Sequence, residues 1–205
     1  MVKVILGKTK LMKIPFFNYK NYCNDADYES FLKEVLDSGY LIGGPFVDKV
    51  EEEMKKLTGI KYCICVGNAT DAMEIIFSFL KLPLNSKVLV PSHTMLATAS
   101  AAKHAGLIPV PMEVNETSLM TEIKELRDND FNNVSACMIT QLNGVVADMD
   151  PIKSFCIERE IALIEDSAQG IGAFNKGIHA GSWGIGGCIS FYPAKVVGCL
   201  GDGGA

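Results

Sequence analysis

The sequence predicts an α/β chain, a mostly parallel sheet with helices on both faces. Short apolar runs alternate with stretches whose apolar residues recur at helical spacing. The runs are bounded by turn residues, as expected of strands buried within a parallel sheet. Hydrophobic residues make up 48% and charged residues 21% of 205. That composition supplies a packed core and excludes a disordered chain. At roughly 150 residues per domain, the length suggests one domain with room for an appendage.

Each element has its own signal. Phe31, Leu32, Val35 and Leu36 recur at helical spacing, and Gly39 follows as a stop. Val47, Val50, Met54 and Leu57 repeat the pattern up to Gly59, with Glu51-Glu52-Glu53 mostly on the outer, solvated side. Tyr62–Val66 reads as a buried strand, Asp71–Leu80 as a helix and Val88–Val90 as a strand. Thr94–His104 then reads as a helix, Leu107–Val110 as a strand and Glu122–Arg127 as a short helix. Ala136–Thr140 is the next strand. Asp150-Pro151 starts a helix, with Asp as N-cap and Pro at the first position. Ile161–Ile164 and Cys188–Phe191 complete the strands.

Composition also bounds function. The chain carries 19 Lys+Arg against 24 Asp+Glu, a net charge of −5, with no basic block. Nothing here points to nucleic acid. The longest stretch without charge, Gly177–Ala194, is broken by five glycines and Pro193, so no membrane span is expected. Val4-Ile5-Leu6 is too short for a signal-peptide core. Seven cysteines, Cys23, Cys63, Cys65, Cys137, Cys156, Cys188 and Cys199, read as reduced thiols of a cytoplasmic protein. Cys63 and Cys65 share one face of a strand, but no second Cys/His pair lies at zinc spacing, so no metal is expected.

In parallel sheets, ligands sit beyond the carboxyl ends of the strands. After Tyr62–Val66 comes Gly67-Asn68-Ala69-Thr70 and a helix, a turn whose free N–H groups suit an anion. It reads equally as a capped helix without a ligand. Its Gly-x-Ala-x-x-Ala spacing weakly resembles a dinucleotide fingerprint, but Val90–His93 lacks the acid that fingerprint needs. After Ile161–Ile164 comes Glu165-Asp166, an acid placed to face a cationic nitrogen or to cap a loop. After Cys188–Phe191 comes Lys195, among small and apolar residues, either a nucleophilic amine or a surface lysine. Eleven of the nineteen glycines lie from Gly170 onward, which suggests backbone turning tightly around a ligand. Together, these features suit a phosphorylated aromatic aldehyde held by the lysine as a Schiff base.

At these residues the sequence resembles the DegT/DnrJ/StrS family of pyridoxal-phosphate-dependent nucleotide-sugar aminotransferases. The matching stretches are Gly43–Val47, Gly67–Met73, Val90–Thr94, Leu142–Gly144 with Ala147–Asp150, Ile164–Gln169, Ser190–Lys195 and Gly201–Ala205. The resemblance implies an aspartate-aminotransferase-like, fold type I large domain over residues 1–205, binding pyridoxal 5'-phosphate. Lys195 matches the lysine that bonds to the cofactor, and Asp166 the acid paired with the pyridine nitrogen. Gln169 matches the residue beside the phenolic oxygen. Ala69 and Thr70 match the phosphate turn, with Ser190 a further phosphate donor. Met95 stands where the family commonly has an aromatic residue over the ring, and Ala69 where it commonly has Gly. His93 is placed to line the substrate entrance.

The implied activity is transfer of an amino group from a donor such as glutamate to a nucleotide-linked keto-sugar, in amino-sugar or polysaccharide biosynthesis. The implied assembly is a homodimer. Family members are nearly twice as long and continue into an antiparallel strand and a small C-terminal domain. The 205 residues are therefore expected to be a fragment or truncated product that folds poorly alone. The alternatives are a non-catalytic cofactor-binding remnant and a dehydratase of the same fold. Dehydratases carry His where Lys195 stands, so the lysine argues against the second.

Overall fold

A computed structural model of the chain describes residues 2–6, 10–14, 17–18 and 28–205. Cys23 lies outside the described residues. The chain divides into two compact units, Met1–Phe46 and Val47–Ala205. In the first, β1 (Val2–Leu6) and β2 (Lys10–Ile14) pair as an antiparallel hairpin. α1 (Tyr28–Ser38) ends before Gly39, as its spacing predicts, and exposes Phe31, Leu32 and Leu36. α2 (Pro45–Thr58) crosses the boundary between the units and opens with Pro at its first position, where no N–H is needed.

The second unit holds α3 (Ala69–Leu80), β3 (Lys87–Pro91), α4 (Leu96–His104), β4 (Ile108–Met112), α5 (Ile123–Arg127) and β5 (Val134–Thr140). Then come α6 (Met149–Glu158), β6 (Ala162–Asp166), β7 (Phe174–Asn175), β8 (Ile178–His179) and β9 (Gly186–Cys188). The main sheet has the order β4-β3-β5-β6-β9 and every pairing is parallel. This is the α/β architecture the sequence predicts.

Strand alternation sends side chains to two cores. Val88, Val90, Ala136, Met138 and Ile164 pack with Met73 and Phe77 of α3 and Ala101 of α4. Leu89, Cys137, Ile139 and Leu163 pack on the other face with Ile152 and Phe155 of α6 and with Trp183. Both faces are covered, so the inner strands β3, β5 and β6 read as largely apolar runs. The charge-free Gly177–Ala194 stretch contains β8 and β9 rather than a helix. Among the described residues, no helix is long and apolar enough to cross a membrane.

Three sequence expectations are corrected. Tyr62–Val66 is not a buried strand: Tyr62 and Ile64 are exposed, and only Val66 pairs, in an antiparallel bridge to Gly204. A strand needs a neighbour to exchange hydrogen bonds with. Instead, the Cys65 N–H is taken by the Glu51 carboxylate at 2.8 Å, which draws that acid off the solvated face. α4 begins at Leu96 rather than Thr94, because the Thr94 hydroxyl is engaged with the sheet. α6 begins at Met149, with Asp148 in the capping position. Asp150 and Pro151 therefore sit inside the first turn, where a missing N–H is still harmless.

Candidate active site

β4 lies on one side of β3 and β5 on the other. The crossovers that follow β3 and β5 run through α4 and α6, on opposite faces. The carboxyl ends of β3 and β5 are therefore the switch point of the sheet, where ligands of such sheets bind. Thr94 follows β3 and Thr140 closes β5, and their hydroxyls meet at 3.0 Å. Thr94 Oγ1 also lies 2.7 Å from Thr98 Oγ1 in the first turn of α4. Thr98 in turn donates to Asp166 Oδ2 at 2.6 Å.

Asp166 ends β6, in register with Thr140 on one side and Cys188 on the other, and is 3% exposed. Its Oδ1 accepts the Ala168 N–H at 3.2 Å and the Cys188 thiol at 3.6 Å. Burial, reinforced by the Asp166 charge, pushes the Cys188 thiol well above its ordinary range, so the sulfur keeps its proton. Among the described residues, no cation pairs with Asp166.

A second cluster is built around Gly204. Val66 and Gly204 exchange N–H···O bonds of 2.9 and 3.0 Å, and Gly204 bridges Ser190 on its other side. Gly203–Ala205 thus forms a short antiparallel ladder between the two. A Cβ on Gly204 would lie 2.5 Å from the Asn68 carbonyl carbon and 2.6 Å from the Ala69 nitrogen, so only glycine permits this approach. Asn68 caps α3 by accepting the Asp71 N–H at 2.9 Å. Ala69 and Thr70, the next two residues, have N–H groups with no partner inside the helix. Ser190, nearly buried, accepts the Tyr192 N–H at 3.3 Å and keeps its own hydrogen to give. The fold therefore brings Ala69, Thr70 and Ser190 to one place.

The other predicted residues are held less tightly. Gln169 Oε1 accepts the Asn143 N–H at 2.9 Å, which leaves its NH2 as a donor. Lys195 is half-buried in a loop closed by Lys195 N–H to Tyr192 and Cys199 N–H to Phe191, each 2.8 Å. Its amine has no hydrogen-bond or ion-pair partner among the described residues. Met95 is 68% exposed and His93 is exposed. Neither joins the Asp166 cluster, although Thr94 between them does. Six described cysteines are free thiols.

Four polar residues here are not marked by sequence spacing. Thr98 and Thr140 belong to the Asp166 cluster, and the only signal for Thr98 is a threonine four residues after Thr94. Glu165 faces away from Asp166 and is fully buried. Its Oε1 accepts Trp183 N–H at 2.6 Å and Gly184 N–H at 3.1 Å. Its Oε2 accepts Gln141 Nε2 at 2.8 Å and Gly181 N–H at 2.9 Å. All four neighbours donate, which fills a carboxylate's acceptor capacity. His179, also buried, accepts the Gly172 N–H at Nε2 (2.8 Å) and donates from Nδ1 to the Ala180 carbonyl. Burial pushes its ring below the ordinary histidine value, outweighing the upward pull of that carbonyl and of Glu165.

Comparison with known proteins identifies relatives of the chain. The chain is 32% identical over 196 residues to the erythromycin biosynthesis sensory transduction protein EryC1 of Saccharopolyspora erythraea, covering 95% of this chain and 54% of that one. It is 33% identical to the UDP-2-acetamido-2-deoxy-3-oxo-D-glucuronate aminotransferase of Pseudomonas aeruginosa, covering 85% and 48%. Among solved structures, S. venezuelae DesV in complex with a ketimine intermediate superposes with a TM-score of 0.87 at 30% identity, over 93% of this chain and 52% of that chain. The chain thus spans about half the length of the curated relatives it matches. The model of the DegT/DnrJ/EryC1/StrS aminotransferase family matches residues 23–205, and the chain belongs to that family.

Proposed function

We propose that this chain is the cofactor-binding part of a pyridoxal-phosphate-dependent aminotransferase that moves an amino group from a donor such as glutamate to a nucleotide-linked keto-sugar. The observation that carries the reading is Asp166: a buried carboxylate beside the switch point of the sheet, held by Thr98 and lacking a cation among the described residues. The residues present fit the cofactor. Asp166 suits a protonated ring nitrogen, the Gly204 cradle with Ala69, Thr70 and Ser190 suits a phosphate, and the free NH2 of Gln169 suits a phenolic oxygen.

Pyridoxal phosphate supplies, when bound, an aldehyde that joins amines and a ring that takes up electrons. The chain's own residues do the rest. The N–H groups of Ala69 and Thr70 and the hydroxyls of Thr70 and Ser190 bind the phosphate. Asp166 holds a proton on the ring nitrogen. Gln169 Nε2 would donate to the phenolic oxygen, and Met95 would cover the ring. Lys195 Nζ would hold the cofactor and, as a free amine, would take and return a proton at the donor's α-carbon. His93 lines the entrance for the sugar. The molecule works in the cytoplasm as a homodimer. The exposed Ile75 and Phe79, four apart on α3, are apolar surface that a second copy would cover.

Borohydride reduction of the cofactor complex, followed by peptide mass mapping, tests the site. A phosphopyridoxyl group on Lys195, absent from Lys195→Ala, supports it. An adduct elsewhere, or full-rate transamination by Lys195→Ala, refutes it. Turnover of glutamate with a nucleotide keto-sugar tests the substrate class.

A further inference from the structure

We propose that Thr140, Thr94 and Thr98 form a one-way hydroxyl chain that keeps negative charge on Asp166 Oδ2 and so keeps the shared proton on the ring nitrogen it faces. This deepens the reading of Asp166 as the ring-nitrogen partner and rests on it. The direction of the chain follows from donor counting. A carboxylate only accepts, so Thr98 spends its single hydroxyl hydrogen on Asp166 Oδ2 at 2.6 Å. At 2.7 Å, Thr94 is then the donor and Thr98 the acceptor. Thr94 has no hydrogen left, so at 3.0 Å Thr140 donates to Thr94. All three dipoles point at the carboxylate, and each strengthens the next. Thr98 is fully buried, so water does not compete for its bond to Asp166.

The same counting identifies the oxygen that meets the ring. Oδ1 already accepts from Ala168 and Cys188, whereas Oδ2 accepts from Thr98 alone. Of the four acceptor sites on a carboxylate, the open one is on Oδ2. The ring N–H therefore shares its proton with the atom that Thr98 stabilises. Without the Thr98 hydroxyl, Oδ2 carries less-satisfied charge. The proton then shifts: the N–H bond of the ring breaks, an O–H bond forms on Asp166, and the net charge is unchanged. Thr98, Thr94 and Thr140 are positioning residues.

The test is the 15N signal of pyridoxal phosphate labelled at the ring nitrogen and bound to the full chain. Wild type shows the protonated-ring position. Thr98→Val moves the signal toward the neutral-pyridine position and weakens cofactor retention about tenfold, the worth of one hydrogen bond to a charged group. Thr98→Ser restores both, and Thr94→Val moves the signal less than Thr98→Val. A wild-type signal in Thr98→Val overturns the chain. Where Thr98→Val does not fold, an unmoved signal in Thr94→Val does the same. A neutral ring in wild type is a different result and overturns the reading of Asp166 itself.

Discussion

Replacing Glu165 with Gln changes one oxygen into an NH2 and nothing else in shape. If the NH2 takes the place of Oε1, it faces the N–H groups of Trp183 and Gly184, and both lose their acceptor. If it takes the place of Oε2, it faces Gly181 N–H and Gln141 Nε2. Flipping the Gln141 amide offers no escape, because Gln141 Oε1 already accepts the Ala147 N–H at 2.9 Å. Every arrangement leaves one buried and one half-buried donor unpaired, at about 1–3 kcal/mol each. Loss of a buried charge works in the opposite direction. The net expectation is a loss of about 3 kcal/mol, which lowers the melting temperature by roughly 6–12 °C for a chain of this size. Urea titration with an unchanged slope, alongside calorimetry, measures it. A loss below about 1 kcal/mol would refute the argument that these four donors depend on the carboxylate.

Three further outcomes are expected. Gly204→Ala puts a methyl group against the Asn68–Ala69 peptide and lowers retention of pyridoxal phosphate at least about tenfold in equilibrium dialysis; wild-type retention would sink the cradle. Because burial lowers the His179 pKa, the unfolded chain binds that proton first as pH falls. Stability is then at its full value above about pH 6.5 and declines below it, so urea midpoints should drop from pH 7.5 to 5.5. His179→Gln, which keeps one donor and one acceptor, should flatten that drop. The Cys65 thiol is pushed up to about 11, chiefly by burial, with Cys63 and Glu51 adding to it. At pH 8 only about 0.1% is thiolate, and iodoacetamide should label it far more slowly than a free cysteine.

The sheet was legible because Val88–Val90 and Ile161–Ile164 lie buried on both faces, and such strands announce themselves without reference to their neighbours. Tyr62–Val66 carries the same kind of residues, yet whether it is a strand depends on what pairs with it, which no local pattern states. Asp166 was readable as an acid closing an apolar run. That Asp166 rather than Glu165 meets Thr98 depends on which side of β6 each occupies. Thr98 was the least readable: its meaning comes from sheet order, which places β5 between β3 and β6 and so lets a helix after β3 touch the end of β6. Lys195 carried its chemistry in its residue type, and the fold adds a closed loop around it.

Val66 and Gly204 stand roughly 140 residues apart, so the loop they close costs about 4 kcal/mol of chain entropy beyond the constant term. Such a contact has to wait until most of the intervening chain has folded, and it is among the first to open. An anion bound beside it then works as a latch, favouring only the fully shut chain. On that reading, the supply of such an anion would set how long the polypeptide survives proteolysis.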